Sequence, residues 1–372
     1  MCNSLDTFIK LRLLLEVEGI GSGKLFNLLA RFNSLDNLVN IDYNSLISSE
    51  GISHNLANRI LKQIDNFPKY AKLLEDELEK LNKMNVEWIT FWSDNYPTNL
   101  KNIFAPPIIL YYKGNLIKSD RNSVAIVGTR TATRYGKSMA EKFSKDLAQN
   151  GITVISGMAR GIDSVAHRGT LSSSGRTIAV VGSGLDVIYP AENRDLYNQI
   201  TENGAVISEY KIGTKPDAQN FPKRNRIISG LSLGTLVVET KASGGSLQTA
   251  AYALDQNREV FAIPGNLENP QSDGTNLLIQ KGEAKLVRNC EDILVELNIK
   301  IGPKVGENIA KPTPDLNMFE QKIYDQLTKE PKHIDLIAIE TKINSSECLV
   351  NLLSLEFRDI VKQLPGKNFV RT

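Results

Sequence analysis

Residues 123–157 read SVAIVGTRTATRYGKSMAEKFSKDLAQNGITVISG. The first residues are β-branched and apolar without alternation, as strands buried on both faces are. Tyr135, Met139, Phe143 and Leu147 then recur every fourth residue. That spacing predicts a helix with one apolar face, and Gly151 supplies its stop. The stretch closes on I-T-V-I-S-G (152–157), a second apolar strand. The pattern continues in T-I-A-V-V-G-S-G (177–184), A-V-I-S-E (205–209), G-T-L-V-V-E (234–239) and E-V-F-A-I-P-G (259–265). Alternation of this kind over 120–299 predicts an α/β domain with a Rossmann-like, doubly wound, mostly parallel sheet.

The flanks differ. Residues 1–65 carry apolar residues at helical spacing, as in F-I-K-L-R-L-L-L-E-V, and are expected to form a helical domain. Gly19-Ile20-Gly21 resembles a helix-hairpin-helix turn, and S-E-G-I-S-H-N-L-A-N-R-I (49–60) is a weaker second copy. Such a domain is SAM-like or helix-hairpin-helix-like; a plain packing unit explains the turn as well as phosphate contact does. Residues 66–119 look like a connection: a charged amphipathic helix, a strand-like V-E-W-I-T-F-W, and an extended piece punctuated by prolines. Residues 300–317 are rich in Pro, Gly and Lys and suit a linker. Residues 318–372 show three helical patterns and a hairpin turning at Pro365-Gly366, the order of a winged helix. Winged helices bind DNA or dock proteins.

Composition narrows the function. The chain has 372 residues, 41% of them hydrophobic, and a net charge of +2, so any basic site is made by placement rather than amount. Cys2, Cys290 and Cys348 are scattered without CxxC spacing, and His54, His167 and His333 lie far apart. Neither a disulfide framework nor a metal cluster is expected, and a reducing cytoplasm fits. The start has no signal-peptide pattern, and no apolar run is long enough to span a membrane.

In an open parallel sheet, ligands bind at the rim formed by the turns after the strands. Here those turns hold Gly128, Thr129 and Arg130; Ser156, Gly157, Arg160 and Gly161; Gly182, Ser183, Gly184 and Tyr189; and T-K-A-S-G-G-S-L-Q-T-A (240–250). After A-V-I-S-E the chain runs on to Phe221, Lys223, Arg224, Asn225 and Arg226. Glycine lets backbone N–H groups approach a phosphate, arginine offers a bidentate fork, and Phe221 offers a π-face to an unstacked base. The glycines serve tight turns equally well. Asp163 and His167 are expected to be structural. Glu209 and Glu239, at strand ends, are placed to hold arginines. V-V-G-S-G-L-D lacks the third glycine of a dinucleotide fingerprint, and no P-loop occurs. The residues alone reach a phosphate-rich ligand at the sheet rim.

S-G-M-A-R-G-I-D-S-V-A-H-R-G-T-L, V-V-G-S-G-L-D-V-I-Y-P-A-E-N, F-P-K-R-N-R-I-I-S-G-L-S and G-T-N-L-L-I-Q-K-G together resemble the DNA-processing protein A family, DprA or Smf. The resemblance is dense over 92–290 and looser at both ends. It implies single-stranded DNA bound by the Rossmann-like domain, help in loading the recombinase RecA during natural transformation, a homodimer, no cofactor and no catalysis. It also implies DNA contacts from Arg130 and from Phe221, Lys223, Arg224 and Arg226. One turn departs from the pattern: Gly244 stands where the family has the first serine of S-G-S-L-x-T-A, and Gln248 where an aliphatic is usual.

Two other classes compete. A phosphoribohydrolase-like enzyme acting on nucleoside monophosphates shares the general fold but resembles P-G-G-x-G-T-x-x-E, whose glutamate is missing from G-G-S-L-Q-T-A. A duplex-DNA regulator would read bases with a winged-helix helix, yet S-S-E-C-L-V-N-L-L-S-L-E (345–356) has no Lys or Arg.

Overall fold

The computed structural model describes residues 4–299, 316–328, 330–358 and 360–371. The expected linker at 300–317 lies almost wholly outside them. The chain divides into two compact units, Met1–Val305 and Gly306–Thr372.

The first unit opens with six helices: α1 (Leu5–Leu15), α2 (Ser22–Phe32), α3 (Leu35–Val39), α4 (Tyr43–Ile47), α5 (His54–Asp65) and α6 (Phe67–Lys83). Side chains of Ser4, Ser34, Asp42 and Ser53 cap four of them by accepting a backbone N–H. Then come β1 (Glu87–Thr90), α7 (Thr98–Lys101), β2 (Ile109–Gly114), β3 (Ser123–Val127), α8 (Arg134–Gln149), β4 (Thr153–Ser156) and α9 (Ile162–Ser172). They are followed by β5 (Thr177–Val180), α10 (Arg194–Asn203), β6 (Gly204–Ser208), α11 (Asn220–Leu231), β7 (Gly234–Val237) and α12 (Gly245–Asp255). β8 (Glu259–Ala262), α13 (Asp273–Gln280), β9 (Lys285–Leu286) and α14 (Cys290–Glu296) complete the unit.

The nine strands among this unit's described residues form one sheet in the order β1-β2-β6-β5-β4-β3-β7-β8-β9. The run β6 to β9 is parallel, with Val124 opposite Val154 on one side of β3 and Gly234 on the other. Chain order reverses between β3 and β7, which makes that pair the switch point of a doubly wound fold. Strand residues divide by parity. Val124, Ile126 and Val154 pack with Phe143, Leu147 and Ala166 of α8 and α9. Ala125, Val127 and Ile155 pack with Ile227, Ile228, Ala250 and Ala253 of α11 and α12.

Two boundaries expected from sequence are not boundaries of packing. The segment 66–119 is more than a connection: β1 and β2 extend the sheet, with Trp88 opposite Tyr111 and Tyr111 opposite Ser208 in antiparallel pairing. Nor do residues 1–65 stand apart. Leu25, Leu56, Ile60 and Leu81 share one core with Tyr111, Leu196 and Val206. The Phe8 ring centroid lies 4.5 Å from Trp88 and 6.3 Å from Tyr111. The long-range pairing that fuses these parts leaves no local trace in sequence.

In the second unit, α15 (Met318–Gln326), β10 (Lys332–His333), α16 (Ile334–Thr341), α17 (Ser345–Phe357), β11 (Val361–Leu364) and β12 (Asn368–Arg371) make a winged helix. Its sheet order is β10-β12-β11, and the wing turns at Pro365–Lys367 with Gly366 at φ 82°.

Candidate nucleic-acid interface

A cleft of about 730 Å³ opens at the carboxyl ends of β3 and β7. One wall is the β3–α8 turn, Gly128 to Thr131; the facing wall is the β7–α12 turn, from Thr240 to Ser246; α11 contributes Phe221, Arg224, Asn225 and Ile228. Clefts at a switch point are the usual ligand sites of this architecture. An adjoining recess is lined by Arg130, Arg160, Tyr189 and Phe221.

The walls are held by their own bonds. Thr129 N–H donates to Glu239 O (2.7 Å), and Ile162 N–H donates to Thr129 O (3.2 Å). Gly161, at φ 78°, starts α9; a Cβ there would meet Thr129 O at 2.3 Å. The Glu239 carboxylate accepts from Thr133 N–H (2.8 Å) and Thr133 Oγ1 (2.7 Å). It therefore fixes the start of α8 and, contrary to expectation, holds no arginine among the described residues. The reason is proximity: the β7 and β3 carboxyl ends are neighbours, so Glu239 reaches the adjacent turn.

α11 decides what the basic cluster in F-P-K-R-N-R can do. The segment F-P-K-R-N-R is already helical, with Pro222 in the first turn where a missing N–H costs little. Residues 221, 224, 225 and 228 then share the face that lines the cleft, and 223 and 226 do not. The three cations diverge accordingly. Lys223 is exposed. Arg226 donates to both oxygens of Glu209 at 2.7 Å. Arg224 is only 4% exposed; its Nη1 donates to Gly157 O (2.7 Å) and to Val180 O. Burial pushes its guanidinium down to about 10, against the nearby Asp163 carboxylate, so it stays charged at neutral pH. Gly157 is a glycine for this guanidinium: a Cβ would lie 2.3 Å from Arg224 Nη1.

The remaining expected residues separate in the same way. Ser156 is buried and donates to Ile126 O (2.6 Å). Arg160 is exposed but forked onto Glu192, two bonds of 2.7 Å. Arg130 is exposed, and among the described residues no acidic partner holds it. Its guanidinium carbon stands 5.5 Å from the Phe221 ring centroid, with that of Arg224 at 5.9 Å and the Tyr189 ring at 5.6 Å. Phe221 is thus half-buried and flanked by cations. Tyr189, 44% exposed, is the freer aromatic platform. Sequence reasoning noted Tyr189 and the turn at 240–250 but did not place Tyr189, Lys241 or Ser246 in the site. Their signal was present, in I-Y-P and S-G-G-S after apolar strands.

Asp163 lines the cleft, and His167 is fully buried. Asp163 accepts from Ala159 N–H (3.3 Å), and burial raises its carboxyl while Arg224 opposes the shift. Thr177 Oγ1 donates to Val154 O, so it accepts from His167 Nδ1–H (2.7 Å). His167 Nε2 has no partner among the described residues. A proton there would put a second buried charge near Arg224, which is why burial and Arg224 push this imidazole down to about 3. Among the described residues no group of three His, Cys, Asp or Glu side chains could hold a metal. No helix among them is long and apolar enough to cross a membrane.

Fold and site define the class first: a Rossmann-like sheet with a cationic, aromatic-lined cleft at its switch point, followed by a winged helix. Residues 87–298 match the family DNA recombination-mediator protein A, and residues 309–367 match the DprA winged helix domain. The chain belongs to that family, the DprA/Smf proteins. It is 33% identical to Protein Smf of Synechocystis sp. over 96% of both chains. The X-ray structure of DNA processing protein A from Streptococcus pneumoniae is similar at 35% identity and a TM-score of 0.68, over 80% of this chain and 99% of that one. DNA processing protein A from Helicobacter pylori, whose structure is described for its single-stranded DNA binding mode, is similar at 32% identity and a TM-score of 0.51, over 57% of this chain and 96% of that one.

Proposed function

We propose that this chain binds single-stranded DNA in the switch-point cleft and passes it to the recombinase RecA during natural transformation, acting as a cytoplasmic homodimer without turnover. The carrying observation is Arg130: an unpaired guanidinium at the mouth of the cleft, beside the Phe221–Tyr189 pair. A cation next to aromatic faces suits a flexible strand whose phosphates and unstacked bases are both accessible. The single-strand binding mode described for the Helicobacter pylori relative supports the choice of ligand. Asp163 is the one carboxylate among the described residues that line the cleft, and it is tied to Ala159 N–H beneath Arg224. That arrangement disfavours a nucleotide hydrolase.

The test is fluorescence anisotropy with a labelled single strand and the same sequence as duplex, for the wild-type chain and Arg130→Ala. Tighter binding of the single strand, weakened in the variant for all sequences alike, is expected. Equal affinity for both forms would refute the assignment of ligand. RecA delivery is tested separately, by the rate at which RecA filaments nucleate on protein-coated single strands with and without this chain.

A further inference from the structure

We infer that the outer face of the winged helix, carried by α17 and α16, docks a basic amphipathic helix of a partner protein. This concerns the second compact unit and does not depend on the ligand of the cleft.

α17 is apolar on two faces. Its inner face, Cys348, Leu352 and Leu355, packs in the domain's core with Ile337 and Phe369. Leu349, Val350, Leu353 and Phe357 are exposed, Val350 at 67% and Phe357 at 88%. At 3.6 residues per turn these four fall within about 100° of the helix surface, away from the core. A surface helix of a globular protein carries one apolar stripe and is polar opposite it. Here the opposite side is a second stripe, and Leu349, Leu353 and Phe357 form an i±4 ridge, the feature by which helices pack into one another's grooves. α16, packed against α17, repeats the pattern: Ile334 and Ile337 are in the core, while Leu336 and Ile339, the latter at 72%, are exposed. Apolar patches of this kind, rimmed by polar residues, mark interaction surfaces.

Charge selects the occupant. Residues 334–357 hold four carboxylates, Asp335, Glu340, Glu347 and Glu356, and one cation, Lys342. By helical phase Glu347 and Glu356 border the α17 stripe on its two sides. Arg358, just past the helix, is held by Glu320 at 3.1 Å. An acidic rim repels a phosphate backbone and attracts Lys and Arg. It also opposes a second copy of this chain. An antiparallel pair of α17 helices, which a two-fold dimer centred on the stripe would form, sets Glu347 of one copy against Glu356 of the other. A partner helix whose apolar stripe is bordered by Lys or Arg fits both the ridge and its rim.

The probe is a fluorescein-labelled peptide of about 18 residues, leucine on one helical face and lysine elsewhere, added to the full chain; a counterpart carries glutamate in place of each lysine. The lysine peptide should bind, and the glutamate peptide should bind at least about tenfold more weakly. Val350→Glu combined with Leu353→Glu, both at exposed positions, should weaken the lysine peptide by about tenfold or more. Glu347→Lys combined with Glu356→Lys should reverse the preference between the two peptides, which unfolding of the domain could not do. The other occupants are read on the Val350→Glu/Leu353→Glu protein. Its molar mass in solution, its single-strand affinity and its urea midpoint by tryptophan fluorescence, which follows the first unit, should all match wild type. A smaller mass gives the face to a second copy, weaker single-strand binding gives it to DNA, and a lower midpoint gives it to the first unit of the same chain; each overturns the proposal. It is also overturned if wild type and the Val350→Glu/Leu353→Glu protein bind the lysine peptide alike, or if the charge reversal leaves the preference unchanged.

Discussion

Replacing Arg224 with alanine should unfold the protein more easily rather than merely weaken a DNA contact. In the folded chain its guanidinium satisfies Gly157 O and Val180 O and sits beside Asp163. Truncation leaves two buried carbonyls short of a donor, at about 1–3 kcal/mol each when no water replaces it. It also leaves a buried carboxyl without its neighbouring cation and a void the length of the side chain. Breaking a buried charge network in this way costs about 3–5 kcal/mol in total. The two tryptophans, Trp88 and Trp92, both lie in the first compact unit, so their fluorescence follows its unfolding alone. With a urea m-value of about 3 kcal/mol/M, the midpoint should fall by about 1 M or more. Lys223→Ala, one residue away but exposed, should stay within about 0.5 kcal/mol of wild type. An Arg224→Ala protein with an unchanged midpoint and lost affinity would refute the structural role and return this residue to the DNA surface.

Two further outcomes follow from the geometry. Among the described residues that line the cleft, Arg130 and Lys241 are the exposed cations without a carboxylate partner, so log affinity against log salt should have a slope of about −1.4, where six phosphate contacts would give about −4; Arg130→Ala should reduce its magnitude by about 0.7–1, and Arg226→Ala, paired with Glu209, should leave it unchanged. His167 is held down to about 3 in the fold against about 6.5 unfolded, so between those pH values the unfolded state binds the extra proton and stability falls with acidification. From pH 7 to pH 5 this one group removes about 2 kcal/mol, and subtracting the urea stabilities of His167→Asn from those of wild type should isolate that loss; a difference flat with pH would show that the imidazole is already protonated or accessible.

The strands of the central sheet were legible because parallel strands buried on both faces must be apolar throughout, and SVAIV, TVIS and TIAV can be little else. Their order was not legible. Nothing local in G-T-L-V-V-E says that β7 returns to lie beside β3, yet that return makes the switch point and brings the turn at 240–246 opposite Arg130. β1 was visible as V-E-W-I-T-F-W, but its membership in the sheet depends on β2 pairing with β6, nearly a hundred residues downstream. A cleft at the strand ends was expected from the glycines and arginines after each strand, and one opens there. Which side chains face that cleft was not legible, because it depends on where α11 begins. A helix starting at Asn220 turns Phe221, Arg224 and Asn225 one way and Lys223 and Arg226 others.

That phase explains why so basic a rim belongs to a chain of nearly neutral net charge. Arg160, Arg224 and Arg226 each have an intramolecular anion or carbonyl within 2.7 Å, and each ties elements together: the start of α9 to the segment before α10, α11 to the turn after β4 and the last residue of β5, and α11 to the residue after β6. They fix the cleft's shape, and their charges are offset by Glu192, Asp163 and Glu209. Under the proposed function, phosphate recognition would fall to the exposed cations left without a carboxylate, Arg130 on one wall and Lys241 on the other. If single-stranded DNA is the ligand, a site built this way would grip its phosphates without many exposed cations. Its affinity is therefore more sensitive to losing one open donor than the count of arginines in F-P-K-R-N-R and S-G-M-A-R-G would suggest.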